Sequence, residues 1–301
     1  MKKLTVPSFA KLNLFLRVLS KRRDGYHSIQ SIFERIDLFD TLIFALRKDS
    51  RISISSDSNQ LPRTSEKNLV YQSARLLQEY CRVSLGADIR IIKRIPVGAG
   101  MGGGSSNAGA TLLALNKLWG LRLSRRELLL LAARIGSDVP FFVCGSPFAE
   151  VSGRGERIKP LLRLSKRVLW HVVVVPRIMV PTPAIYRAWD KLPEKLKRGT
   201  RGSLTRKKYN VKITHLALEK GDYRLLENAL FNSLQDVTRS LYPAVRRVEE
   251  ALAAAGCRSV LMSGSGPSVF GICSSRKEAF TLLRRITKSN RRWRVFAVRT
   301  R

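Results

Sequence analysis

The chain of 301 residues predicts an α+β protein in two parts, and three patterns carry that prediction. Strand-like apolar alternation dominates Thr5 to Ser55. Helical spacing takes over between Glu66 and Ile135, behind recognisable capping residues. The strand and helix pattern then restarts at Val168. Together these patterns predict an α+β N-terminal domain over residues 1–160 and an α/β sandwich over residues 161–301.

Taken in order, Thr5 to Leu19 reads as strands interrupted by Ser8 to Asn13, and Ser20 to Gly25 as a charged turn whose Asp24-Gly25 is a hairpin signal. Ile29 to Arg47 and Arg51 to Ser55 read as further strands. A helix is expected over Glu66 to Tyr80, with Asn68 near its start, and a strand over Ile89 to Ile95. Ala108, Leu112, Leu115 and Trp119 place a helix over Ser105 to Trp119, with Ser105 to Asn107 supplying its cap. Ser124 and Glu127 form a capping box ahead of a helix over Arg125 to Ile135. Val168 to Val175 is a buried strand, and Lys191 to Asn210 a polar, basic connector expected to be mobile. Helices follow at Tyr223 to Phe231, Pro243 to Ala255 and Lys277 to Thr287, and strands at Ser259 to Met262, Ser268 to Cys273 and Arg294 to Val298.

The most informative stretch runs from Pro96 to Asn107, where Gly98, Gly100, Gly102, Gly103 and Gly104 precede Ser105, Ser106 and a helix. Free backbone N–H groups at a helix N-terminus attract anions, because the dipole and the unpaired donors point the same way. The stretch lacks the Gly-Lys-Ser/Thr ending of a P-loop. Gly98, Gly100 and Gly103 satisfy G-x-G-x-x-G, but no acid lies between Gly104 and Glu127 to hold a ribose, which weakens a dinucleotide reading. A purely structural turn would spend folding entropy on five glycines. A phosphate cradle is the expectation.

Composition is that of an ordinary globular protein, with 44% hydrophobic and 26% charged residues. No apolar run of membrane-spanning length occurs, and the N-terminal stretch is too poor in apolar residues for a signal peptide. Cys81, Cys144, Cys257 and Cys273 form no C-x-x-C pair, which suits reduced thiols and a cytoplasmic location. His27, His171 and His215 make no metal motif. The net charge of +34 raises a nucleic-acid partner as an alternative. Its two densest blocks, Lys191 to Lys212 and Arg276 to Arg301, lack interleaved aromatic residues, so a solvated basic face is expected, with no specific nucleic acid and no membrane. Such a field also draws in small anionic substrates.

Three further constellations could carry chemistry. Lys11 is the only Lys between Leu4 and Leu16, placed to pair with a carboxylate in a desolvated pocket or to sit on a strand edge. Asp138, between Gly136-Ser137 and Val139-Pro140-Phe141-Phe142, is either a helix cap or a base toward a substrate hydroxyl. Gly25-Tyr26-His27 offers a stacking face beside a hydrogen-bonding edge, and Ser263-Gly264-Ser265-Gly266-Pro267-Ser268 a second backbone cradle.

In this order, Ala10-Lys11-Leu12-Asn13-Leu14, Gly25-Tyr26-His27, the Pro96 to Asn107 loop, Asp138-Val139-Pro140-Phe141-Phe142, Val180-Pro181-Thr182-Pro183 and the Ser263 to Ser268 loop resemble the GHMP kinase superfamily over nearly the whole chain. The resemblance implies an N-terminal domain like ribosomal protein S5 domain 2 and a ferredoxin-like C-terminal α/β sandwich. It implies ATP as phosphoryl donor, with Mg²⁺ carried by the nucleotide. Lys11 and Asp138 match the family's catalytic pair. Pro96, Gly98, Gly100, Gly102, Gly103, Gly104, Ser105, Ser106 and Asn107 match its phosphate loop, and Asn68 and Lys93 fall where it contacts adenine or its sugar. Gly25-Tyr26-His27 with Val180 to Pro183 points to the cytidyl-binding branch rather than to homoserine or mevalonate kinases. The implied acceptor is the 2-hydroxyl of 4-diphosphocytidyl-2-C-methyl-D-erythritol, with Asn13, Tyr26, His27, Thr182 and Tyr186 as substrate contacts. Tyr186 stands where the family usually carries a stacking Phe, and adds a hydroxyl. The protein is expected to be a monomer or homodimer.

Overall fold

Two sheets sharing one core position the site. The computed structural model describes residues 2–61, 65–197 and 210–301; most of the basic connector, positions 198–209, lies outside them. The first sheet is built on two long antiparallel strands, β1 (Lys3–Lys21) and β2 (His27–Arg47). The turn between them uses Gly25 at φ +82°, as the Asp24-Gly25 signal requires. β1 runs unbroken through Ser8 to Asn13, where the sequence suggests an interruption. The reason is a set of β-bulges, with register shifts at Phe9/Ala10 and Asn13/Phe15 that disturb the period of two.

The free edge of β2 is divided. Its C-terminal half pairs β4 (Gly86–Ile92), which also pairs β3 (Ile52–Ser56), while its N-terminal half pairs β5 (Phe148–Gly153), which pairs β6 (Arg157–Pro160). One face is covered by α1 (Leu69–Cys81), α2 (Gly103–Leu118), α3 (Arg125–Ile135) and α4 (Val139–Cys144). Val70, Ala74 and Leu77 of α1 and Ala108, Leu112 and Leu115 of α2 meet Leu42, Phe44, Ile89 and Ile91 there. The capping box of Ser124 and Glu127 is present at the head of α3.

The second sheet has the order β11–β7–β10–β9, all antiparallel. It comprises β7 (Trp170–Val175), β9 (Val260–Met262), β10 (Val269–Cys273) and β11 (Arg294–Arg299). With α10 (Pro243–Ala254) before β9 and α11 (Arg276–Ser289) before β11, this is the split βαβ arrangement of a ferredoxin-like sandwich. Val172 and Val174 face α10 and α11, while Val173 and Val175 face the first sheet, as strand alternation dictates. Between β7 and α10 lie α5 (Thr182–Asp190), α6 (Glu194–Lys197), α7 (Val211–Lys220), α8 (Tyr223–Ala229), β8 (Phe231–Asn232) and α9 (Gln235–Leu241).

The halves are stitched together. β8 pairs in parallel with Phe15 and Leu16 of β1, and Arg301 donates its backbone N–H to the Arg35 carbonyl of β2. Between the sheets, buried Glu34 and His171 approach to 2.8 Å, and Thr300 donates to the other Glu34 oxygen. Neither side chain touches solvent.

Candidate active site

The middle of β1 supplies two polar side chains to a deep cleft between the sheets. Ala10, Leu12 and Leu14 turn into the shared core, so Lys11 and Asn13 point the other way, into the cleft. Lys11 is 4% exposed. Its ammonium donates to Asn13 Oδ1, lies 4.7 Å from the Phe33 ring centroid and 3.7 Å from Asp138 Oδ2. The last distance is that of an ion pair, longer than a hydrogen bond. Asn13 is held in turn: its amide donates to Ser31 Oγ at 3.0 Å, and its backbone N–H to Ser263 Oγ at 3.3 Å.

Asp138 occupies the N-cap position of α4 yet makes no capping hydrogen bond, and its side chain is 31% exposed. A carboxylate left free at a helix start, facing a buried ammonium, can take a proton from a hydroxyl placed between them. Desolvation pushes Lys11 below its ordinary value of 10.5, opposed by the charge of Asp138.

The glycine loop forms the wall beside Lys11. Asp40 of β2, fully buried, accepts backbone N–H groups of Arg94 and Ile95 at 2.7 and 2.8 Å and pairs with the Lys93 ammonium. Burial pushes the Lys93 ammonium below its ordinary value, with Asp40 opposing. At the far end the Ser263 to Ser268 segment braces the loop. Ser268 Oγ donates to the Ala99 carbonyl at 2.6 Å and Ser263 Oγ to the Gly100 carbonyl at 3.1 Å. Gly100, at φ +74°, packs so closely on the Ser263 carbonyl that any Cβ would collide with it.

α2 begins two residues earlier than the Ser105 to Asn107 cap implies. Gly102, at φ +68°, is the N-cap and has no side chain to offer. The first-turn N–H groups therefore have no side-chain cap, and Gly103, Gly104 and Ser105 line the cleft, where such groups can meet an anion. Ser106 and Asn107 are spent elsewhere: both bond the Ser8 hydroxyl at 2.7 Å, tying α2 to β1.

At the other end of the cleft, α5 carries Tyr186, Trp189 and Asp190, which meet His27. Tyr186 stacks on the imidazole at 5.0 Å with 30° between planes, and Trp189 meets it edge-on at 5.6 Å. His27 Nε2 donates to Asp190 Oδ1 at 2.6 Å, and Lys21 Nζ to Asp190 Oδ2 at 2.8 Å. Partial burial pushes the Asp190 carboxyl up, but these two hydrogen bonds and charges outweigh it and hold it below the usual range. Tyr26 is half exposed, with the Arg154 guanidinium 5.3 Å from its ring centroid. Burial, then the Asp138 charge, push the Tyr186 phenol well above its ordinary value, so it stays protonated.

The cleft measures about 760 Å³. Lys11, Asp138, Asn13, Tyr26, His27, Thr182, Tyr186, Lys93, Pro96, Gly98, Gly100, Gly102, Gly103, Gly104 and Ser105 all line it, so the structure brings together most of the residues that the sequence nominates. Asn68, Ser106 and Asn107 do not line it. Asn68 is the N-cap of α1, accepting from the Val70 N–H at 3.0 Å. Sequence reasoning missed Asp40, Lys21 and Asp190. The last had a signal, since Tyr186, Trp189 and Asp190 fall at i, i+3 and i+4 on one helix face. Among the described residues no cluster of three His, Cys, Asp or Glu could hold a metal, and no helix is long and apolar enough to cross a membrane.

Known proteins resemble this chain over most of its length. Residues 68–146 match the GHMP kinases N terminal domain, and residues 215–292 match GHMP kinases C terminal. The chain is 43% identical over 270 residues to the 4-diphosphocytidyl-2-C-methyl-D-erythritol kinase of Shouchella clausii, covering 90% of this chain and 86% of that one. It is 40% identical over 282 residues to the enzyme of the same name from Symbiobacterium thermophilum, covering 94% and 95%. A crystal structure of 4-(cytidine 5'-diphospho)-2C-methyl-D-erythritol kinase superposes with a TM-score of 0.79 at 34% identity, covering 98% of this chain and 99% of that one.

Proposed function

The chain belongs to the GHMP kinases, in the branch of the 4-diphosphocytidyl-2-C-methyl-D-erythritol kinases, and on that premise we propose that it transfers the γ-phosphate of ATP to the 2-hydroxyl of 4-diphosphocytidyl-2-C-methyl-D-erythritol, a step of the non-mevalonate route to isoprenoid precursors. One observation carries the reading. The Lys11–Asp138 pair lies in a single cleft that also holds an uncapped helix start and the aromatic cluster around His27.

In this reading residues 1–160 provide the donor site and the base, and residues 161–301 provide α5 and the bracing loop. Phosphoryl transfer asks mainly for positioning and charge stabilisation. Asp138 takes the proton of the acceptor hydroxyl. Lys11, dehydrated and anchored by Asn13, steadies the charge that develops on the oxygen. The N–H groups of Gly103, Gly104 and Ser105 hold phosphate oxygens, with the Lys93 ammonium close to Gly103. Magnesium bound to the nucleotide phosphates would neutralise part of their charge, held by phosphate oxygens more than by protein. Tyr26, His27, Thr182 and Tyr186 receive the cytidyl group, and the cations Lys21, Arg154 and Arg187 in the cleft wall suit its diphosphate. A cytoplasmic location belongs to the same reading, supported by four cysteines with no C-x-x-C pair.

The deciding experiment measures ADP release by the purified protein with 4-diphosphocytidyl-2-C-methyl-D-erythritol, homoserine and mevalonate. Turnover of the cytidyl substrate well above the others is expected. Comparable or faster turnover of either rival would overturn the substrate assignment.

A further inference from the structure

We infer that Asp190 is a positioning residue that makes the site select a 4-amino pyrimidine, by fixing which nitrogen of His27 carries the proton. The inference rests on the cytidyl reading of the cleft and goes beyond it. His27 is clamped on three sides by one face of α5: Tyr186 covers a ring face, Trp189 abuts an edge, and Asp190 holds Nε2 at 2.6 Å. Its side chain is only 5% exposed, so it has little room to turn.

The chemistry of the clamp decides the tautomer. An ionised carboxylate only accepts hydrogen bonds, and Lys21 on Asp190 Oδ2 helps keep it ionised. Nε2 therefore carries a proton, and in the neutral form of the ring the lone pair lies on Nδ1. No hydrogen bond to Nδ1 occurs among the described residues, and His27 lines the cleft. An acceptor presented there suits the exocyclic N4 amino group of cytosine, a donor. Uracil offers O4 at the same place, and two acceptors would face each other without a proton between them. A site built around one hydrogen bond rejects an analogue lacking the partner far more strongly than an apolar pocket rejects a change of size.

Two measurements test this. The first compares the cytidyl substrate with its uridyl analogue, 4-diphosphouridyl-2-C-methyl-D-erythritol, in the wild type and in Asp190→Asn. An amide can donate to Nε2, which moves the ring proton to Nδ1 and turns the presented acceptor into a donor. The wild type should favour the cytidyl substrate in kcat/KM by at least about a hundredfold. Asp190→Asn should lower that preference by about tenfold or more, through KM, with kcat on saturating cytidyl substrate kept within about threefold. Asp190→Glu, which keeps the carboxylate, should recover part of the preference.

The second measurement needs no substrate. The chain has three histidines, so two-bond ¹H–¹⁵N spectra of ¹⁵N-labelled protein can assign each tautomer. His27 should be Nε2-protonated in the wild type and lose that preference in Asp190→Asn. A wild-type His27 protonated at Nδ1 alone, or an unchanged cytidyl-to-uridyl ratio in Asp190→Asn, overturns the role of Asp190 while leaving the kinase reading intact. Failure of the wild type to phosphorylate the cytidyl substrate overturns both.

Discussion

Lys11 Nζ and Asp138 Oδ2 stand 3.7 Å apart, one on the middle of β1 and the other at the head of α4, 127 positions later in the chain. The gap is too long for a hydrogen bond and short enough for each charge to feel the other. Replacing Asp138 with Asn keeps the shape and removes the proton acceptor. Because this side chain makes no capping bond, Asp138→Asn should still fold, with its melting temperature lowered only by the loss of the charge facing Lys11. Its kcat should fall by about 10²–10⁴, the usual contribution of a positioned base. A purified variant with near-normal kcat would exclude Asp138 from proton transfer.

The same pair has a pH signature. Burial lowers the proton affinity of Lys11 in the folded protein below its ordinary 10.5, which the unfolded chain retains. Between those two values the unfolded state holds more protons, so this group makes stability rise with pH; below both, its burial penalty is fully present. Lys11→Met removes that contribution. Melting temperatures of the wild type should therefore rise relative to those of Lys11→Met across the alkaline range up to 10.5. A constant difference between the two curves would show that Lys11 titrates alike in both states. Turnover of the wild type should decline on the same alkaline limb, as the ammonium is lost.

What the sequence could and could not reveal follows from the range of the interactions. The Ser124–Glu127 capping box, the Gly25 turn and the glycine loop were legible because their partners lie within a few residues. Asp40 was not, because the backbone groups it satisfies and its Lys93 partner lie 53 to 55 residues away. Asp190 meets His27 across 163 positions, and α5, which opens on Thr182-Pro183, was not among the expected helices although proline fits the first turn of a helix. Asn68, Ser106 and Asn107 mark the opposite case: their positions match the family's pattern, yet their side chains are occupied in holding α1 and α2 in place.

Asp40 should be a stability residue first. Asp40→Ala would leave the Lys93 ammonium and two backbone N–H groups buried without an acceptor. Breaking a buried ion pair on one side costs about 3–5 kcal/mol, read as a shift of the urea midpoint. Adding Lys93→Met to Asp40→Ala should recover part of that loss, because it removes the stranded charge. A cost below about 1 kcal/mol for Asp40→Ala would mean that water replaces the carboxylate, and that the loop is not held from β2.

Two glycines of the loop should respond in opposite ways. Gly100 has a left-handed backbone and lies against the Ser263 carbonyl, so Gly100→Ala combines conformational strain with a collision between backbone segments. The left-handed conformation alone costs an alanine about 1–2 kcal/mol, and the collision adds to it by forcing the bracing loop away. Thermal stability and ATP turnover should fall together. Gly104 differs: it lies inside the first turn of α2, and a Cβ there would meet nothing nearer than Leu69 Cδ1 at 3.7 Å. Gly104→Ala should leave the melting temperature equal or higher, since alanine restricts the unfolded chain by about 0.4–1 kcal/mol. If phosphate oxygens approach these bare N–H groups, the same methyl must raise KM for ATP, by about tenfold for each 1.4 kcal/mol of lost contact. A stable Gly104→Ala protein with unchanged KM for ATP would place the triphosphate away from the α2 N-terminus.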